Sequence, residues 1–157
     1  MALPKLFNLN LEYCIKLKNL TPLASMANLR QLNLAYSYAW DFFPLHALVN
    51  LEYLSLYKCS ELKQVHLEHV GANCKKLEEL DISFTQTSSL DFLALLPQLK
   101  KLALESTNIH DISCIAHLSL LSELVIAKNF GISTLQPLCS LTRLKKLNAA
   151  STRVSDL

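Results

Sequence analysis

Glycine is almost missing from this sequence: Gly71 and Gly131 are the only two among 157 residues. That scarcity argues against flexible linkers and against a glycine-rich loop cradling a phosphate. An excess of charge of one sign is also missing, with 15 Lys and Arg against 13 Asp and Glu. The formal net charge is +2, so nothing demands a nucleic acid or an anionic membrane as partner. No apolar run approaches the roughly 20 residues of a membrane span. The opening stretch MALPKLFNLNLEY has no basic n-region and no uninterrupted apolar segment, so it does not read as a signal peptide. The five cysteines are an odd number without a tight framework spacing, which reads as free thiols in a reducing compartment. The expected location is therefore intracellular and cytoplasmic, with a secreted or surface location as the alternative if a signal peptide lies outside this chain.

What the sequence has in abundance is leucine at a fixed interval. The stretch LKKLALESTNIHDI (99–112) returns as LKKLNAASTRVSDL (144–157), and the pattern Leu-x-x-Leu-x-(Leu/Ile/Ala) begins at Leu6, Leu29, Leu51, Leu77, Leu99, Leu121 and Leu144. The steps are 23, 22, 26, 22, 22 and 23 residues, and a period in that range is the mark of a solenoid. With the opening Leu as repeat position 1, positions 1, 4 and 6 are apolar, as in Leu51, Leu54 and Leu56 or Leu99, Leu102 and Leu104. Alternation at 4 and 6 is the strand period, with position 5 turned to the opposite face. One short strand per unit would stack into a parallel sheet at about 4.8 Å spacing.

Position 9 separates this reading from an amphipathic helix. It holds Cys14, Ser37, Cys59, Thr85, Thr107, Asn129 and Thr152. All are small and able to hydrogen-bond, as an inner bend with unpaired backbone groups requires. Asn129 is expected to be buried with its amide bonded to the backbone of adjoining coils. In the return segments, LKNLTPLASM (17–26) matches ISTLQPLCSL (132–141), aligning Pro22 with Pro137, and Pro44 falls in the equivalent place of the second unit. Proline before a short apolar pattern suits the first turn of a brief helix or 3₁₀ segment.

These motifs resemble the leucine-rich repeat family over the whole chain. The 22-residue units with IHDI and VSDL are similar to the internalin-type class. The third unit, LEYLSLYKCSELKQVHLEHVGANCKK, resembles the cysteine-containing class of F-box proteins, and the Thr-rich column resembles leucine-rich repeat proteins of parasitic protozoa. The resemblance implies a right-handed α/β solenoid of six full coils and one partial coil. Its parallel sheet would form the concave face, with short helices or 3₁₀ segments on the convex face. Residues 1–157 read as a single domain. With no recognisable cap and an end at Leu157 in mid-repeat, the chain is expected to be part of a longer array, or to have its ends covered by further repeats or partner subunits.

The resemblance also implies protein recognition on the concave face. Position 8 carries Tyr13, Tyr36, Lys58 and Phe84, position 7 carries Tyr57, and position 3 carries Tyr53. Exposed aromatic side chains on a rigid surface are the usual anchors of an interface; the competing reading is that the rings merely cover one another. Tyr13, Tyr36, Tyr53, Tyr57 and Phe84 are the candidate partner-binding residues. Glu78 and Glu79 beside Lys100 and Lys101, and Glu123 beside Lys145 and Lys146, read as lateral pairs between strands rather than a ligand site.

Other chemistry has less support. Cys59, His66, His69 and Cys74 are the one set resembling metal ligands, with His66 and His69 at i, i+3 on a helix. Cys59 belongs to the inner column and Cys74 to an apolar approach, so no metal and no cofactor is expected. There is no nucleophile elbow, no phosphate loop and no carboxylate pair outside the charge columns, and Trp40 reads as convex-side packing. The sequence therefore reads as a non-catalytic protein-interaction module without enzymatic activity. The alternatives are a structural scaffold inside a large assembly, or the substrate-recognition part of an F-box-type ubiquitin ligase.

Overall fold

The computed structural model describes Leu3 and residues 5–155; Leu157, at which the mid-repeat ending was read, lies outside them. Among the described residues, seven three-residue strands form one parallel sheet in chain order: β1 (Asn8–Asn10), β2 (Gln31–Asn33), β3 (Tyr53–Ser55), β4 (Glu79–Asp81), β5 (Lys101–Ala103), β6 (Glu123–Val125) and β7 (Lys146–Asn148). Each strand covers repeat positions 3 to 5. The register joins like to like, so Leu9, Leu32, Leu54, Leu80, Leu102, Leu124 and Leu147 run across the sheet as one column. In the middle coils positions 1, 4 and 6 are fully buried, as Leu51, Leu54 and Leu56 show.

The return segments are short because the units are short. Five of them form single-turn 3₁₀ helices at Thr21–Ser25, Phe43–Ala47, Asp91–Leu95, Ser113–His117 and Gln136–Ser140. Pro22, Pro44 and Pro137 occupy the first turns of their helices, where a missing N–H costs nothing. A side-chain oxygen two residues earlier fixes each start: Asn19, Asp41, Ser89, Asp111 and Thr134 accept the N–H of Thr21, Phe43, Asp91, Ser113 and Gln136 at 2.8–3.2 Å. The third unit has 26 residues, and the added length completes a true helix, α1 (Gln64–Asn73). Its Leu67, Val70 and Gly71, together with Cys74 just beyond it, lie along one buried face at the helical spacing i, i+3, i+4, i+7.

The inner column behaves in two ways. Asn129 is fully buried; its amide donates to the carbonyl of Leu104 in the preceding coil at 2.7 Å and of Ile126 in its own at 2.9 Å. Its oxygen accepts the Thr107 N–H at 3.0 Å. Cys59 also reaches back, to Leu34 O at 3.2 Å. Each threonine hydroxyl bonds a carbonyl of its own coil, Thr85 to Ile82, Thr107 to Leu104 and Thr152 to Ala149, and Thr107 also meets the Asn129 oxygen of the next coil at 3.3 Å. Cys14, in the first described coil, is exposed.

A feature absent from the sequence reading organises the bend. All seven residues at repeat position 8, Tyr13, Tyr36, Lys58, Phe84, Ser106, Lys128 and Ser151, have φ between 54° and 61°. None is glycine, and such residues cost about 1–2 kcal/mol each in the left-handed region. Two hydrogen bonds offset the strain. The position 8 N–H donates to the next coil, as Lys58 does to Ser83 O at 2.9 Å. Where position 5 is Asn or Asp, its side chain accepts the N–H two residues on: Asn10 from Glu12, Asn33 from Ala35, Asp81 from Ser83 and Asn148 from Ala150, at 2.9–3.1 Å.

Candidate functional site

The left-handed bend decides where position 8 side chains go. It turns position 9 into the core and sets position 8 along the rim of the sheet face, one above another at the spacing of the coils. Tyr13 and Tyr36 stack with ring centroids 4.1 Å apart and planes within 16°. In the third coil position 8 is Lys58, and Tyr57 from position 7 continues the series: Tyr36 to Tyr57 is 5.3 Å and Tyr57 to Phe84 is 5.2 Å. Four of the five candidate residues therefore form one continuous column of rings. Tyr53 stands apart, half-buried on β3, where burial pushes its hydroxyl pKa up.

Two lysines left out of the candidate set, Lys58 and Lys128, belong to the same surface. Lys58 Nζ lies 5.2, 5.6 and 5.1 Å from the ring centroids of Tyr36, Tyr57 and Phe84. Lys128 Nζ lies 5.4 Å from that of Phe84 and 2.8 Å from Glu105. Cations over ring faces at these distances are attractive, so the rings are held as an ordered, electron-rich stripe. The signal was present as Tyr, Tyr, Lys, Phe at consecutive position 8 sites. At the top of the column the Tyr13 and Tyr36 hydroxyls share a hydrogen bond, which pushes the Tyr13 pKa up to about 12 and draws that of Tyr36 down. Tyr13 remains 59% exposed.

Below the rings the charges pair laterally. Lys100 meets Glu78 at 2.7 Å, Lys101 meets Glu79 at 2.9 Å, Lys146 meets Glu123 at 3.1 Å and Arg30 meets Glu52 at 3.1 Å. These partly exposed pairs contribute a few tenths of a kcal/mol each and explain the charge blocks without a ligand.

The four residues weighed as metal ligands point to separate partners. Cys59 bonds Leu34 O, and Cys74 bonds Leu45 O at 3.6 Å. Burial pushes these thiols up to about 12 and about 11. His66 accepts the Lys63 N–H at 3.1 Å and is buried against Phe42 and Phe43; burial draws its pKa down. His69 packs on the Phe43 ring 4.7 Å away. Among the described residues, no group of three or more His, Cys, Asp or Glu side chains is placed to hold a metal ion. No described helix is long and apolar enough to cross a membrane. Trp40, expected to pack on the convex side, is 65% exposed.

Solved structures carry the same architecture. An internalin (inlF) from Listeria monocytogenes superposes with a TM-score of 0.87 and 31% identity, covering 99% of this chain and 44% of its own. Internalin C2 (inlC2) from the same organism gives 0.86 at 23% identity, over 99% of this chain and 66% of its own. A leucine-rich repeat protein of Leptospira interrogans gives 0.71 at 24% identity, over 87% and 35%. The fold is the leucine-rich repeat solenoid. No family model matches the sequence, and no curated protein does. This leucine-rich repeat chain spans less than two thirds of the first internalin's length, and the ring column runs along the rim of the sheet face, beside the extended surface that stacked repeats create.

Proposed function

We propose that the chain is a non-catalytic protein-interaction module, which binds a protein partner through the concave sheet face with Tyr13, Tyr36, Tyr53, Tyr57 and Phe84 as its anchors. The observation that supports this most is the ring column itself. It runs across four consecutive coils with 4.1–5.3 Å between centroids, on bends that backbone hydrogen bonds tie to the neighbouring coils. A rigid aromatic surface loses little side-chain entropy on binding and offers large contact area. A scaffold role, or the substrate-recognition part of a ubiquitin ligase, would also use a solenoid, but neither accounts for rings concentrated on this face. Five free thiols support a reducing, intracellular setting.

Changing Tyr36, Tyr57 and Phe84 together to Ala tests the reading. Each truncation is expected to weaken capture of the partner by about 1–3 kcal/mol while the melting temperature stays close to that of the parent. Pull-down with the parent and the triple variant side by side measures it. Equal capture of every partner by a folded triple variant would move the binding surface to the convex side.

A further inference from the structure

Four tyrosines of this face do more than stack. Tyr13, Tyr36, Tyr53 and Tyr57 line a pocket of about 350 Å³ together with the carboxylates of Glu12 and Asp81. No lysine, arginine or histidine lines it; Lys58 lies over the rings of Tyr36, Tyr57 and Phe84, outside this lining. The chain thus sets aromatic faces and two acidic groups around one space.

Asp81 is the informative member. It holds repeat position 5 of β4, and its oxygen accepts the Ser83 N–H at 2.9 Å. Asn10, Asn33 and Asn148 make the same bond at the same repeat position with a neutral amide. The bend therefore needs an acceptor and not a charge. None of the ion pairs among the described residues involves Asp81, and burial raises its pKa, the mark of an anion held where water solvates it poorly. A carboxylate that the fold does not require, and that no cation among the described residues pairs with, calls for a cation from outside.

We infer that this pocket receives an arginine side chain of the protein partner, its guanidinium stacked on the tyrosine rings and its N–H groups donated to Asp81, with the Glu12 carboxylate, held by Asn33 at 3.2 Å, adding negative charge at the far side of the pocket. The guanidinium suits the lining better than an ammonium: it is planar, weakly hydrated, stacks on aromatic faces and donates in a fork to carboxylates. The assignment rests on the reading of the concave face as the docking surface.

The test titrates the isotope-labelled chain with N-acetyl-arginine N-methylamide and with its citrulline and lysine counterparts, following the amide signals of Asn33, Ser55, Tyr57 and Ser83. The arginine compound is expected to move these signals saturably. Citrulline keeps the shape without the charge and is expected to bind at least about tenfold more weakly. Asp81→Asn should weaken arginine binding by at least about tenfold with the fold retained, and the exposed Glu12→Gln by a smaller factor. Equal affinity for arginine and citrulline, lysine binding as tightly as arginine, or unchanged arginine affinity in both carboxylate variants would overturn the assignment. Partner capture separates the two readings. If the triple aromatic variant loses the partner and Asp81→Asn keeps it in full, the concave face stands and the arginine pocket falls. If both variants keep it, the concave-face reading itself has failed.

Discussion

Asn129 shows how much one side chain can do in a solenoid. Its oxygen accepts the backbone N–H groups of Thr107 and Ile109 from the preceding coil, and its amide donates to Leu104, Ile126 and Ala127 carbonyls. Asn129→Leu keeps the approximate size and removes every one of these bonds, leaving buried backbone groups unpaired. A loss of on the order of 1–3 kcal/mol is expected, read by urea denaturation, whereas Thr107→Ser keeps the hydroxyl and should cost less. Asp81 makes the opposite case. Its pKa is raised above the ordinary 3.8 by burial, so the folded state favours the protonated form. The stability from that preference is fully present below the unfolded value of 3.8 and is lost as pH rises through the raised folded value. Asp81→Asn keeps the turn acceptor without the charge, so its melting temperature at pH 7 should equal or exceed the parent's. The parent should approach the variant in acid. A variant that melts well below the parent at pH 7 would show that the charge stabilises the fold.

At the scale of the element, the strands and the inner column were legible because a fixed period makes every leucine the neighbour of another, and only small hydrogen-bonding residues fit the bend. The bend's conformation was not legible. Left-handed backbone is usually signalled by Gly or Asn, and here Tyr13, Tyr36, Lys58 and Phe84 adopt it because neighbouring coils hydrogen-bond them into place. For the same reason the aromatic residues could be named, and their covering one another could be weighed, but not the order and spacing of the column, and nothing in the repeat pattern singled out Asp81. Trp40 was read as packed and is 65% exposed. The helix α1 yields a prediction whose sign reverses the usual rule. Replacing a helical Gly by Ala commonly adds about 0.5–1 kcal/mol of stability. Gly71, however, packs against the next coil, and a Cβ there would lie 2.8 Å from the Phe92 carbonyl oxygen and 3.1 Å from its Cβ. The contact is with backbone, so α1 must shift away from its neighbour. Gly71→Ala is expected to destabilise by about 1–3 kcal/mol, and thermal melts that show a gain would mean α1 moves freely over the coil beside it.

In the whole molecule, each coil's stability depends on the coils it touches. A repeat array behaves approximately as a chain of units coupled to nearest neighbours. Coils in the middle have two such interfaces: Leu54 and Leu56 are fully buried, and Leu102 and Leu124 nearly so. In β7 all three residues are exposed, with Leu147 at 41%. The hydrogen bonds themselves are alike in the two places, at 2.7–2.9 Å, so the difference lies in what backs each partner coil. Ile126 and Lys128 donate to Asn148 and Ala150 of the last described coil, whereas Leu56 and Lys58 donate to Asp81 and Ser83 in the middle. If coupling between neighbours governs opening, the last coil detaches first and releases the Ile126 and Lys128 amides while the centre stays closed. Native-state hydrogen exchange on the isolated chain should therefore show Ile126 and Lys128 exchanging at a lower opening free energy than Leu56 and Lys58. Asn129→Leu, which cuts the bonds tying the sixth coil to the fifth, should lower protection at Ile126 and Lys128 strongly and at Leu56 hardly at all. Equal protection from β2 to β6, falling everywhere together in the variant, would mean that the solenoid opens as a single cooperative body and that its stability is not divided among interfaces.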